Sequence, residues 1–341
     1  MSGLPPDEGL VPGWDAIDRA LEKAHGRDAP SRFLRFQDSP WQRELAPLSA
    51  IRVYSPSEPR PHWHFVTYGL TDLFRKSHAD PEVSGAGHEL TFRLARPPKE
   101  EAPPRWALNL LLFIADHVLR GGSLFPGLRL GLAEPLSEGD DTELCALLLA
   151  PDPGLDTTRS PFGEVGFLQM VGITRDEVEL LSDWNPRSFL ELLDEHEPFW
   201  VTRLSRKSVL SDPALAAQVR ERVKREGSSS RTALLPSLRW SNAGYGEPIT
   251  VTLDQRDLQL LRRSLEGRLP FGRDLTARGQ HGHEVLFQAA ELPGTSRVGQ
   301  RLTLFVTRAL LHEMLATLRP EPGAYHWSVL DGIVVRVLNT P

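Results

Sequence analysis

Hydrophobic periodicity along the chain switches between two signatures, and the elements it predicts are intermixed. Ala16, Ile17, Ala20, Leu21 and Ala24 recur at helical spacing, with Gly26 as a natural stop. Residues 51–54 (IRVY) and 64–68 (HFVTY) read as strands, and 89–94 (ELTFRL) alternates with a period of two. Pro103-Pro104 opens an apolar helix over 106–119, closed by Gly121-Gly122. Further strands are predicted over 144–149, 165–171, 249–253, 302–306 and 332–338. Helices are predicted from Thr174, where Glu177 follows at capping-box spacing, over 185–193, after Asp212-Pro213, over 254–265 and over 307–318. No regular strand–helix–strand rhythm emerges, so the pattern predicts an α+β chain with mixed sheets flanked by helices.

Length adds a division. A chain of 341 residues exceeds one typical core and suits two domains. The Gly/Ser-rich stretch 227–237 (GSSSRTALLPS) is the linker candidate. The expected map is a flexible tail over 1–12, an N-terminal domain over 13–226, a linker region over 227–244 and a C-terminal domain over 245–341. The longest apolar run, 106–115, is too short to span a bilayer, and the N-terminus lacks the blocks of a signal peptide. A single cysteine, Cys145 in LCALLLA, reads as a buried small apolar residue and excludes an intrachain disulfide. The expected compartment is therefore the cytoplasm.

Charge is lopsided. Residues 134–197 hold sixteen Asp or Glu against three Arg, and 198–240 hold nine Lys or Arg against three Asp or Glu. An acidic middle argues against nucleic acid, whose phosphates need a basic face, and favours a basic or polar protein partner.

Candidate chemistry is sparse. His62 and His64 stand two apart, which on a strand places both rings on one side, and His281 and His283 repeat the spacing. They are the candidates for a metal-dependent enzyme, but no His-Glu-x-x-His pattern or cysteine pair accompanies them. There is no nucleophile elbow and no phosphate loop, so neither a catalytic residue nor a cofactor is expected.

Five segments taken in order resemble the suppressor-of-fused family. They are PHWHFVTYGLTDLF (61–74), SGAGHELTFRLAR (84–96), APPRW (102–106), APDPGLDTTRSPFGEVGFLQMVGIT (150–174) and DWN (183–185) with LELL (190–193). Residues 267–287 and 301–318 resemble the family's C-terminal domain. The animal members' long disordered insertion between the halves is almost missing, which resembles a short bacterial form. The resemblance implies a non-catalytic protein that holds a partner, an extended segment of which adds as a strand in an acidic cleft between two domains. It assigns partner binding to Asp152 in the "DP" pattern and to Asp176 and Glu177 after the "VG" pattern. For a bacterial relative it implies an immunity protein that neutralises a toxin by binding it. The alternatives are a peptide-binding module unrelated to toxins and the histidine-based metal enzyme.

Overall fold

The computed structural model describes residues 12–26, 30–35, 48–137, 141–241 and 247–340. The expected tail, up to residue 11, lies outside them. By contacts the chain divides into two units: residues 1–178 with 190–208, and residues 179–189 with 209–341.

The first unit begins with α1 (Pro12–His25), β1 (Arg32–Arg35), β2 (Ala50–Tyr54), β3 (His62–Tyr68) and β4 (Val83–Ala95). It continues through α2 (Arg105–Leu119), β5 (Arg129–Gly131), β6 (Leu144–Pro151), β7 (Thr158–Ser160) and β8 (Gly163–Thr174). Its mixed sheet runs β1-β2-β3-β4-β8-β6-β5, with β7 pairing β8 and with β4 parallel to β8. The two-residue period assigns each strand's side chains to opposite faces. Phe65, Leu90, Phe92, Leu94, Leu168 and Met170 pack with Ala107, Leu111, Ile114 and Ala115 of α2. On the other face, Val66, Tyr68, Val165 and Phe167 pack with Ile17 and Leu21 of α1. Cys145, expected to be buried, is half-buried on β6.

Two further helices, α3 (Arg175–Asp183) and α4 (Pro186–Asp194), carry the chain across the division and back. The capping box expected at α3 forms in part. The Glu177 carboxylate accepts from the Thr174 amide at 3.0 Å, but the Thr174 hydroxyl donates to Asp176 and leaves the Glu177 amide to Asp176 Oδ1 at 3.0 Å.

The second unit contains α5 (Pro213–Glu226), β9 (Thr232–Leu234), β10 (Arg239–Ser241), β11 (Ile249–Asp254), α6 (Gln255–Arg268), β12 (Leu275–Arg278) and β13 (Glu284–Ala289). It ends with β14 (Gly294–Val298), β15 (Arg301–Val306), α7 (Arg308–Thr317), β16 (Gly323–Tyr325) and β17 (Ile333–Leu338). Two mixed sheets, β10-β11-β17-β16 and β14-β15-β13-β12-β9, share a core with α6 and α7 built on Leu253, Leu258, Leu265, Phe287, Leu304, Met314 and Val335. Side chains of Asp212, Asp254 and Thr307, the residues at which helices are predicted to begin, cap α5, α6 and α7.

The stretch expected as a linker is structural. β9 pairs in parallel with β12, β10 pairs with β11, Gly227 and Ser228 are buried, and Leu235 is fully buried. Composition misled because the Ser-rich run makes its own hydrogen bonds. Ser228 donates to the Ser182 carbonyl at 2.7 Å, and Arg268 and Arg273 each reach the Ser228 carbonyl at 3.0 Å. Residues 242–244 of that stretch lie outside the described residues.

Candidate functional site: a buried polar network under the signature motifs

Alternation decides which side chains meet. With Phe65, Phe92 and Leu168 turned toward α2, the interleaved residues His62 and His64 of β3, Glu89, Thr91 and Arg93 of β4, and Gln169 of β8 face the α1 side. Register places His64 opposite Arg93 and Thr91 opposite Gln169. The loop after β6 drops Asp152 among them. Its Oδ1 accepts from Arg93 Nη2 at 2.7 Å and from the Gly154 amide at 2.8 Å; its Oδ2 accepts from the Thr91 hydroxyl at 2.7 Å and lies 3.2 Å from His64 Nε2. Arg93 also reaches Gln169 Oε1 and His62 Nε2, each at 3.2 Å.

Protonation follows from these partners. Burial alone would raise the Asp152 carboxyl, but the hydrogen bond from His64 and the Arg93 charge outweigh it and hold it far below the usual carboxylate range. Burial, with Arg93 adding to it, pushes His64 down to about 3. Burial likewise pushes His62 down to about 4, against the hydrogen bond from its ring to the Arg60 carbonyl. Both rings are neutral at pH 7. His64 then carries its proton on Nε2 toward Asp152 and accepts at Nδ1 from His25 Nε2, 2.8 Å away. Among the described residues, no group of three His, Cys, Asp or Glu is arranged to hold a metal ion.

A second buried pair lies further along β8. Glu177 is fully buried; its two oxygens accept from Arg206 Nη1 and Nη2 at 2.6 and 2.7 Å, and Arg206 also reaches the Gly172 carbonyl at 2.9 Å. The segment 198–206 joins the two sites. Gln169 Nε2 donates to the carbonyls of Phe199 and Trp200, and the Gly172 amide donates to Thr202 Oγ1 at 3.0 Å. Two motif glycines make this approach possible: a β-carbon on Gly172 would lie 2.8 Å from Thr202 Cγ2, and one on Gly154 would lie 2.6 Å from Arg93 Nη2.

Two of the three expected contact residues are thereby reassigned. Asp152 and Glu177 have side chains with 0% exposure and are saturated by internal donors, so a partner cannot reach them without unfolding the site. They position β4, β8 and the 198–206 segment. Asp176 is half-exposed and accepts from Thr174 and the Glu177 amide. The structure ties no contact between Asp152 and the Asp176–Glu177 pair. Arg93, Thr91, Gln169 and Arg206 were missed from sequence, although an arginine in the alternating strand 89–94 was a usable signal.

A third polar hub interlocks the remaining motifs. Glu89 is fully buried and accepts from the Thr67 and Thr71 hydroxyls, each at 2.7 Å, and from the amides of Gly69, Leu70 and Thr71 at 2.9–3.3 Å. Gly85 sits at φ +51, and a β-carbon there would lie 2.6 Å from the Leu70 carbonyl oxygen.

The comparisons with known proteins match this core. Residues 44–207 match the family model for suppressor of fused protein (SUFU). The suppressor of fused homolog of Mus musculus is 33% identical over 206 residues, covering 55% of this chain and 42% of that protein. The Homo sapiens homolog is 32% identical with the same coverage. The chain thus matches less than half the length of these relatives. The crystal structure of Drosophila Suppressor of Fused superposes with a TM-score of 0.82 over 99% of this chain and 100% of that one, at 20% identity, which is a likeness of fold. A chain of the Sufu–Fu complex crystal structure superposes with a TM-score of 0.54 over 61% of this chain and 97% of that one, at 29% identity. With its signature segments forming one buried architecture, residues 44–207 of this chain are similar to the suppressor-of-fused family.

Proposed function

We propose that this chain is a non-catalytic protein that sequesters a polypeptide partner by holding an extended segment of it, and that it acts as a toxin-neutralising immunity protein of a short bacterial form. The observation that carries the reading is its 29% identity, over 61% of this chain, to a chain of the Sufu–Fu complex crystal structure. The buried network agrees with it. His62, His64, Asp152 and Glu177, the strongest candidates for chemistry, are all committed to internal partners. Edge strands such as β14 offer main-chain groups to which an added strand can pair.

The test is affinity capture by the folded chain in the native cytosol, followed by size-exclusion chromatography of the complex with one purified captured protein. Co-elution in fixed stoichiometry without turnover is expected; absence of any stoichiometric partner overturns the reading. Toxin neutralisation is tested separately by co-expression with the toxin encoded beside its gene. Restored growth is expected, and continued killing leaves a sequestering module that is not an immunity protein.

A further inference from the structure

A cavity of about 360 Å3 between α1 and the loop after Asp152 has no part in the network above. Its walls include Arg19, Lys23, Gly154, Asp156, Thr157 and Thr158. Arg19 and Lys23 stand four residues apart on α1, so they share one face and project toward the same opening. Lys23 is held by Asp156 at 2.5 Å. Among the described residues, Arg19 has no ion-pair or hydrogen-bond partner, and neither do the hydroxyls of Thr157 and Thr158. The lining thus carries two cations against one carboxylate, a net charge of +1, with an unused guanidinium and two unused hydroxyls.

On the side of Gly154 that a β-carbon would occupy lie Arg93 Nη2 at 2.6 Å and Phe199 Cε1 at 3.2 Å, so Phe199 packs beside the buried network and is 37% exposed. Phe199 and Trp200 hold φ of 57° and 51°, left-handed backbone that costs about 1–2 kcal/mol per residue outside glycine. Gln169 holds this turn through both carbonyls.

We propose that this cavity takes the carboxylate of an acidic side chain from the polypeptide partner. The proposal rests on the protein-binding reading. Arg19 supplies the planar two-pronged donor that suits a carboxylate, and the Thr157 and Thr158 hydroxyls complete its hydrogen bonds. The partner's docking segment is therefore acidic at this point, the opposite of what the acidic middle of the sequence suggests.

The test is an NMR titration of the full chain with N-acetyl-Asp-Leu-amide, its Asn-Leu counterpart and inorganic phosphate, in wild type and Arg19→Gln. Saturable shifts of the Thr157 and Thr158 amides with the Asp peptide are expected, absent with the Asn peptide and weakened about tenfold or more by R19Q. No saturable shift, equal binding by R19Q, or binding of phosphate without the Asp peptide each overturns the proposal. Capture of the same partner by wild type and R19Q with equal affinity overturns the pocket and leaves the binding reading intact. Failure of wild type to capture any partner overturns the binding reading, while the peptide titration still reports on the pocket.

Discussion

At the scale of single residues, the interior of the first unit is held by carboxylates with defined donors. Replacing Asp152 by Asn leaves the Arg93 guanidinium, with a side chain only 5% exposed, without its counter-charge. Breaking a buried pair on one side costs about 3–5 kcal/mol, so D152N is expected to lower the unfolding free energy by that amount, read as a lower urea midpoint at unchanged slope. An unchanged midpoint would show that Asp152 does not hold the network. Glu89→Gln keeps the shape but turns an amide donor toward donors from Thr67, Thr71 and Gly69. Its expected cost is about 1–3 kcal/mol, read in the same experiment.

The histidines make this core acid-sensitive. His62 and His64 titrate in the folded state at about 4 and about 3, below their ordinary value of 6.5. As pH falls through 6.5, the unfolded chain binds protons that the folded chain refuses, so stability declines from there down to the folded values. Asp152, held below its ordinary value, adds a loss of the same sign at lower pH. The urea midpoint is therefore expected to be level above pH 7 and to fall between pH 6.5 and 4, with a shallower fall in His62→Gln. A flat profile over that window would contradict neutral buried imidazoles.

At the scale of elements, helix boundaries follow local rules that hold here. Asp212 accepts from the amides of Ala214 and Leu215 at 2.7 and 3.2 Å, and Thr307 accepts from Leu310 at 3.1 Å. Replacing either cap by Ala is expected to cost ~1 kcal/mol in thermal or urea unfolding. Strands that alternate or form apolar runs, such as β4, β6 and β8, were readable from sequence for the same local reason. The short strands β5, β7, β9, β10, β14 and β16 were not. Three to five residues carry too little periodicity to register, and β9 exists only because β12 offers it a parallel partner.

At the scale of the whole molecule, the division by contacts does not follow the chain. Residues 179–189 belong with the second unit, where Trp184 and Phe189 are fully buried and Trp184 Nε1 donates to Glu226 at 2.8 Å. A chain cut after Glu226, at the boundary suggested by composition, keeps that bond but removes Ser228, which donates to the Ser182 carbonyl, and Arg263, which pairs with Asp183. Such a fragment is expected to show red-shifted tryptophan emission and to bind a hydrophobic dye, whereas the full chain does neither. A fragment with native-like emission and no dye binding would place the boundary at 226 after all. The charge asymmetry is likewise undone by folding: Arg206 pairs with Glu177, Arg203 with Glu197 and Lys207 with Glu143, so the basic stretch neutralises part of the acidic one.

What the sequence determined by itself was local or motif-bound: most helices and where they begin, the long strands, the α+β class, the shared side of His62 and His64, and the family resemblance. Each of these depends on spacing within a few residues or on an ordered string of motifs. Only the tertiary structure decided the roles of the motif residues. Asp152 and Gln169 lie 59 and 76 positions from Arg93, yet Arg93 donates to both because the fold brings them together. The same long-range pairing turned Asp152 and Glu177 from expected partner contacts into buried anchors. A side chain's burial and its partner are fixed by elements distant in the chain, which periodicity cannot report.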